Sequence, residues 1–345
     1  MSFEGRYSGR KAKKVLIVDD IPSNLELVEA VFVSEGFEVI TAVHPRDAIT
    51  AFETHQPDIA VVDVMMPEIN GFQLCQILKD MAGKAYFPVV LLTALSDQTS
   101  RLKGIEAGAD DFISKPFDKR ELVAKARNLL KVKALYDELE HSENIILTLA
   151  VALEARDPYT KGHSTRVGEL SEHFGRYIGL DEQTCEFLRK AGILHDIGKI
   201  GLSETLLLKP APLAEEELEV IKQHPLIGEE ICKPLQSLHQ ILPAIRHHHE
   251  RWDGRGFPDG LKGKEIPLMA RVLSIVDSYD AMLSERPYRE GLSEKTVIRI
   301  MEEERDLGQW DPELLDVFID MIKEGKTAEG HIVAPQPSSR ISMED

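Results

Sequence analysis

Residues 13–20 read KKVLIVDD: two cations, four apolar side chains, then two aspartates. So short an apolar run, rich in Val and Ile, suits a strand covered on both faces. Working outward, FEVITA (37–42), DIAVVDV (58–64), PVVLLTA (88–94) and DDFISKPF (110–117) repeat the signal. Helical patterns lie between them. Leu25, Val28, Ala30, Val31 and Phe32 precede Gly36, a helix stop, and Ala48, Ile49 and Phe52 follow Pro45, a helix opener. Leu74, Ile77 and Leu78 follow Gly71, and Leu102, Ile105 and Ala109 flank Gly108. Strands alternating with helices predict an α/β domain over residues 13–130, a doubly wound five-stranded parallel sheet. Ligands of such sheets sit outside the carboxyl ends of the strands.

Those ends carry Asp19 and Asp20, Asp63, Thr93, and Lys115 followed by Pro116. Clustered carboxylates repel unless a divalent cation joins them, and oxygen-only ligands suit Mg²⁺. A carboxylate beside Mg²⁺ can accept a phosphoryl group, with Lys115 and Thr93 on the phosphoryl oxygens. The stretches VLIVDD, VVDVMMPEINGF, LLTAL and DDFISKPF resemble the receiver domain of two-component response regulators. The resemblance implies Asp63 as phospho-acceptor and Asp19 and Asp20 as Mg²⁺ ligands beside it. It also implies Thr93 and Phe112 as the switch pair, Lys115 on the phosphate, a cis Lys115–Pro116 bond, and a sensor histidine kinase as partner.

The whole chain has 345 residues, which predicts two domains. Its formal charge of −18 argues against a polymeric nucleic-acid partner, which needs a basic face. No run of eighteen apolar residues predicts a membrane span, and MSFEGRYSGRKAKK lacks the apolar stretch of a secretory signal. Three scattered cysteines (Cys75, Cys185, Cys232) suit a reducing cytoplasm and read as small buried hydrophobes. From Asp118, a helix-capping residue, to about 150 there is no Gly or Pro. A connector helix is expected over 118–150. Leu122, Leu129, Val132, Tyr136 and Leu139 recur at near-heptad spacing, so this helix is expected either to form a dimeric coiled coil or to pack on its own domain.

Residues 145–328 read all-helical. One stripe is Val167, Leu170, Phe174 and Tyr177; another is Phe187, Ala191, Leu194 and Ile197. Leu218, Ile221 and Lys222 lead to His224, where Pro225 is expected to stop the helix. Ile266 to Val276 lead through Asp277 towards Leu283. Of twelve histidines, eight fall between His163 and His249. A lone histidine on an apolar face is usually a hydrogen-bonded core residue. His163, His195, His224, His248 and His249, with Asp196 and Asp277, spread over several helices of one bundle, point instead to a metal site. Mixed imidazole and carboxylate ligands suit Fe, Mn, Zn, Ni or Co. Two metals ~3.5–4 Å apart can deprotonate a water and clamp a phosphodiester. Lys199, one turn after Asp196, could pair with a phosphate oxygen, Phe257 could stack on a base, and Arg286 and Arg289 could meet phosphate or guanine.

The run HDIGKIG…HP…G…HHERWDGRGFPDG…VDSYDAM…RPYR resembles the HD-GYP domain, a subgroup of the HD superfamily of metal-dependent phosphohydrolases. The resemblance implies a cyclic di-GMP phosphodiesterase giving linear pGpG, or GMP after a second cleavage, with iron or manganese as metal. It implies His163, His195, Asp196, His224, His248, His249 and Asp277 as ligands, Asp196 bridging, Lys199 on the scissile phosphate, and Arg286 and Arg289 on the other phosphate and guanine. Phe257 stands where the motif has Tyr, losing a hydrogen bond worth roughly 0.5–1.5 kcal/mol. Tyr159 stands where three-metal members place a glutamate, so two metals are expected; Glu154, two helical turns upstream, is the carboxylate that could still reach a metal, and Asp157 is expected to orient the loop. The tail, 329–345, is expected to be disordered. The expected whole is a cytoplasmic, homodimeric response regulator controlled through Asp63. Its rivals are a hydrolase of another cyclic dinucleotide or nucleotide ester, and a cyclic di-GMP sensor without turnover.

Overall fold

Five strands form one parallel sheet: β1 (Lys14–Val18), β2 (Glu38–Ala42), β3 (Ile59–Asp63), β4 (Val89–Thr93) and β5 (Asp111–Ser114), in spatial order β2-β1-β3-β4-β5. The computed structural model describes residues 12–83, 85–94, 98–154, 162–207, 209, 214–284 and 291–325. Successive residues of a strand face opposite sides of the sheet. Val15 and Ile17 thus join one core with Leu25, Val28 and Phe32 of α1 (Pro22–Ser34) and Leu122, Ala126 and Leu130 of α5 (Lys119–Glu154). Leu16 and Val18 join another with Ala48 of α2 (Pro45–His55) and Leu74 and Leu78 of α3 (Gly71–Ala82). The fourth helix, α4, is Gln98–Glu106. The strand order reverses direction between β1 and β3, the place where such sheets open a ligand crevice.

The chain divides into two compact units, Met1–His141 and Ser142–Asp345. The 36-residue α5 crosses that boundary and outruns the expected 118–150, ending at Glu154. Asp118 caps it, its Oδ1 accepting from the Arg120 N–H at 2.7 Å. The apolar repeat read as one seam does not share one environment. Leu122 is buried in the sheet core, and Tyr136 stacks on Tyr86 with centroids 4.8 Å apart. Val132, Leu135, Leu139 and Leu149 are exposed.

The second unit is helical, with no strand among the described residues. Its helices are α6 (His163–Tyr177), α7 (Glu182–Leu194), α8 (Glu204–Leu207), α9 (Glu215–Ile221), α10 (His224–Cys232), α11 (Leu242–His247), α12 (Leu268–Leu283), α13 (Glu294–Asp306) and α14 (Pro312–Lys323). Short 3-10 turns cover 197–201, 236–241 and 263–265. Pro225 does not end a helix as expected; it opens α10, one residue after His224. Proline is well suited to a first turn, where its missing N–H has no intrahelical partner to lose. Two glycine contacts bring the histidine-bearing elements together. A Cβ on Gly192 of α7 would lie 2.6 Å from Gly168 Cα of α6, and one on Gly198 would lie 1.9 Å from the His224 carbonyl oxygen. Only glycine admits backbones this close. All three cysteines are free and buried, as expected. Burial pushes the Cys75 and Cys232 thiols up to about 12, which keeps them protonated.

Candidate metal centre and phospho-acceptor site

Helix ends deliver the histidines. His195 follows the last residue of α7, His163 and His224 start α6 and α10, and His248 and His249 follow α11; Asp277 projects from within α12. Their ligand atoms fall into two trios, His163–His195–Asp277 and His224–His248–His249, the atoms of each lying within 4.8 Å of one another. Asp196 stands between the trios. One oxygen is 3.4 Å from His195 Nε2 and the other 3.3 Å from His224 Nε2. Lys199 pairs with the same carboxylate from the next 3-10 turn.

The backbone sets which nitrogen each ring offers. Nδ1 of His195, His224 and His248 lies 2.7, 2.8 and 2.7 Å from the carbonyl oxygens of Gly192, Ile221 and Ile245, each three residues earlier. A carbonyl accepts only, so Nδ1 carries the proton and Nε2 keeps its lone pair for the centre. Nε2 of His224 and Nε2 of His248 then face each other at 3.3 Å, two lone pairs whose mutual repulsion a cation would relieve. This donor set fits divalent transition metals.

The electrostatics differ between the trios. Burial holds the His224 and His248 imidazoles neutral, His248 well below its ordinary range, and pulls His249 down to about 4. Burial also opposes charge on His163, but its bonds to Asp277 and Asp280 outweigh that and push it up to about 10. His195 is likewise raised, because Asp196 and Asp277 overcome burial. Burial works against charge on Asp196, yet Lys199 and His195 hold it well below the carboxylate range; His163 and His195 do the same for Asp277.

In the first unit Asp19, Asp20 and Asp63 form a three-carboxylate group. The Lys115 ammonium bridges two of them, at 2.8 Å from Asp19 and 2.7 Å from Asp63. Burial raises the Asp63 carboxyl above its usual range, with Lys115 opposing. Burial would lower Lys115, but its bonds to Asp19 and Asp63 raise it. Asp20 Oδ1 is buried without a hydrogen-bond partner, an acceptor that a hard cation would satisfy. Lys115–Pro116 is cis. Thr93 ends β4, and the Phe112 ring lies where a Cβ on Gly104 of α4 would come within 2.2 Å of it.

Residues 15–127 match the response regulator receiver domain family and residues 148–314 the HD domain family. The chain is 32% identical over 328 residues to the cyclic di-GMP phosphodiesterase response regulator RpfG of Xanthomonas campestris pv. campestris, covering 88% of this chain and 86% of that protein. It is 34% identical over 339 residues to a cyclic di-GMP phosphodiesterase of Thermotoga maritima, covering 90% of each. The chain belongs to the response-regulator family that joins a receiver domain to an HD domain. The chain is also 37% identical over 161 residues to a 3'3'-cGAMP-specific phosphodiesterase of Vibrio cholerae, covering 47% of this chain and 35% of that protein.

All seven ligand residues expected in the HD domain meet at one centre, and the expected three carboxylates meet in the receiver domain. Phe257 lies on the His249 ring, centroids 4.8 Å apart. It also lines a cavity of ≈ 300 Å³ with Lys222, Arg255, Ser278 and Gln309, whose wall includes His248, His249 and Asp277. Arg286 and Arg289, like Asp157, Tyr159 and the tail 329–345, lie outside the described residues. Glu154 belongs to neither trio; its Oε1 accepts from the Ser164 N–H at the start of α6. Of the histidines left without a role, His247 bonds Asp259 at 2.8 Å and His239 bonds the Lys233 carbonyl at 2.9 Å.

Two supporting residues escaped sequence reasoning. Asp280 takes His163 Nδ1 at 2.7 Å and the Arg166 fork at 2.7 and 2.9 Å. A carboxylate behind a ligand histidine fixes its tautomer and orientation. Its one visible signal was the i, i+3 spacing from Asp277, which puts both acids on one helix face. Glu250 is buried and accepts backbone N–H bonds from Asp259, Gly260 and Leu261. Nothing local in the sequence marked it. No helix among the described residues is long and apolar enough to cross a membrane.

Proposed function

We propose that the HD domain hydrolyses cyclic di-GMP to linear pGpG, GMP following from a second cleavage, and that phosphorylation of Asp63 by a sensor histidine kinase regulates it in the cytoplasm. The observation that carries the reading is Asp196, whose two oxygens each face a histidine of a different trio. Two divalent cations held there, iron or manganese by family resemblance and Zn, Ni or Co by donor type, would activate a water and offset the diester's charge. The chain's own residues do the rest. Nδ1–carbonyl bonds aim the Nε2 lone pairs of His195, His224 and His248 inward. Lys199, which pairs with Asp196 in this structure, would pair with a scissile phosphate oxygen when substrate is bound. The water oxygen bonds to phosphorus, the P–O3′ bond breaks, and the 3′ oxygen takes a proton. The cavity bounded by Phe257 and Arg255 would receive the remainder of the dinucleotide; the family resemblance assigns its second phosphate and guanine to Arg286 and Arg289, which lie outside the described residues.

In the receiver domain, Asp19, Asp20 and Asp63 would hold Mg²⁺ while Lys115 pairs with the transferred phosphoryl group. Thr93 and Phe112 would report that state. The exposed Val132, Leu135, Leu139 and Leu149 on α5 support a homodimer through this helix.

The test is product chromatography on protein purified without air and loaded with Mn²⁺ or Fe²⁺, with and without a phosphoryl donor. Appearance of pGpG supports the reading, and intact cyclic di-GMP under every condition overturns it. Turnover of another cyclic dinucleotide in preference would reassign the substrate. Arg286→Ala should depress dinucleotide turnover while sparing a small aryl phosphodiester.

A further inference from the structure

His249 differs from the other four ligand histidines. His163, His195, His224 and His248 each have Nδ1 fixed by a carboxylate or a carbonyl. Among the described residues, neither ring nitrogen of His249 has a hydrogen bond. A flat side chain replaces that bond: Phe257 lies on the imidazole with centroids 4.8 Å apart and planes at 31°. The Phe257 N–H also reaches the His249 carbonyl oxygen at 3.3 Å. The ring of His249 is therefore oriented by a loop, and the loop must itself be held.

Glu250 holds it. This carboxylate is 2% exposed and accepts three successive backbone N–H groups, from Asp259 at 2.8 Å, Gly260 at 3.0 Å and Leu261 at 3.1 Å. Charge-assisted bonds of this kind are about twice as strong as neutral ones. They fold the segment back so tightly that a Cβ on Gly256 would lie 2.4 Å from Glu250 Cα and 2.3 Å from the Arg251 nitrogen. A second anchor sits at the same corner, where Asp259 takes the Arg246 fork at 2.7 and 2.9 Å and His247 at 2.8 Å.

We infer that Glu250 is a positioning residue for the second metal trio: it staples the 251–261 loop, the loop sets Phe257, and Phe257 sets the His249 ring. The inference rests on the metal reading of the two trios. It also changes the meaning of phenylalanine at this position. A flat apolar ring serves as the wall of a ligand, a role that needs no hydroxyl.

The full-length chain carries the test. Mn²⁺ titration of the wild type should fill two sites. Glu250→Gln and Phe257→Leu should each weaken one of them about ten- to hundredfold, the usual cost of losing an outer partner, and leave the other unchanged. Both sites filling at wild-type affinity in both variants, or both weakening equally in both, overturns the inference. Should Glu250→Gln misfold by circular dichroism, Phe257→Leu, which keeps the staple, decides alone. A second readout works without metal. With ¹³C-labelled histidine, the ring-current shift that Phe257 imposes on the His249 signal should collapse in either variant. A wild-type chain that binds no Mn²⁺ overturns the metal reading alone, whereas a His249 signal unmoved by both variants overturns this one.

Discussion

The two candidate cation sites are built on opposite plans. The receiver site is three carboxylates at the ends of β1 and β3, two of them bridged by one ammonium. The HD site is five imidazoles at helix ends and two carboxylates, most of them buried, and four of the five imidazoles are tied through Nδ1 to a partner behind them. Oxygen atoms around a hard cation leave room for ligand exchange, which suits a phosphoryl group that must come and go. Imidazoles with fixed tautomers make a rigid centre that selects borderline metals and holds them. One site is shaped for a transient charge and the other for a resident one.

The sharpest way to break this contrast is to remove the residue that links the HD trios. Asp196→Ala should lower metal-dependent diester hydrolysis by more than the ~100-fold that loss of an outer partner costs, because both trios lose a ligand. Turnover within tenfold of wild type would show that the carboxylate does not bridge. The corresponding receiver variant, Asp63→Asn, should abolish acid-labile phosphoryl incorporation from a small donor while leaving transition-metal content unchanged. A gel-shift assay beside metal analysis checks both halves. A smaller effect is expected from Asp280→Asn, which keeps its shape but loses the charge behind His163; metal affinity at the first trio should fall about 10–100-fold.

Proton release sharpens the comparison inside the HD site itself. In the metal-free chain His163 is pushed up to about 10, so near pH 8 it must give up a proton when metal binds. His249, down at about 4, is already neutral there. Affinity of the first trio should therefore rise with pH towards about 10, and that of the second should be flat above about 6.5, because burial holds all three of its imidazoles below that ordinary value. Calorimetry in buffers of different ionisation enthalpy separates the two steps; equal proton release from both would contradict the assignment. The same shift has a stability consequence. Because the folded value of His163 lies above its unfolded 6.5, its contribution to the metal-free fold is complete below pH 6.5 and is lost as pH rises towards about 10.

Much of this molecule was legible in advance, for local reasons. The five strands are short Val- and Ile-rich runs bounded by polar residues, and each formed where its run lay. Asp19, Asp20 and Asp63 were foreseeable as neighbours because adjacent parallel strands end on the same edge. Pro225 was misread because a proline after a polar residue ends one helix or opens the next, and only packing of α10 against the 197–201 turn chooses. The heptad-like run on α5 was legible as apolar but not by environment, since Leu122 and Tyr136 found partners in their own unit.

The sequence alone determined what kinds of atoms this protein would gather: hard oxygens at the end of one sheet, imidazoles at the ends of several helices. Residue type and periodicity are local properties, and they carry that much. Only the tertiary structure decided how the imidazoles divide into trios, and that Asp280 and Glu250 stand behind the ligands. Those facts depend on backbones meeting across long sequence separations, at Gly168 with Gly192 and at Gly198 with His224. No local pattern encodes such a meeting; burial of the shared core drives it, and the site's geometry follows.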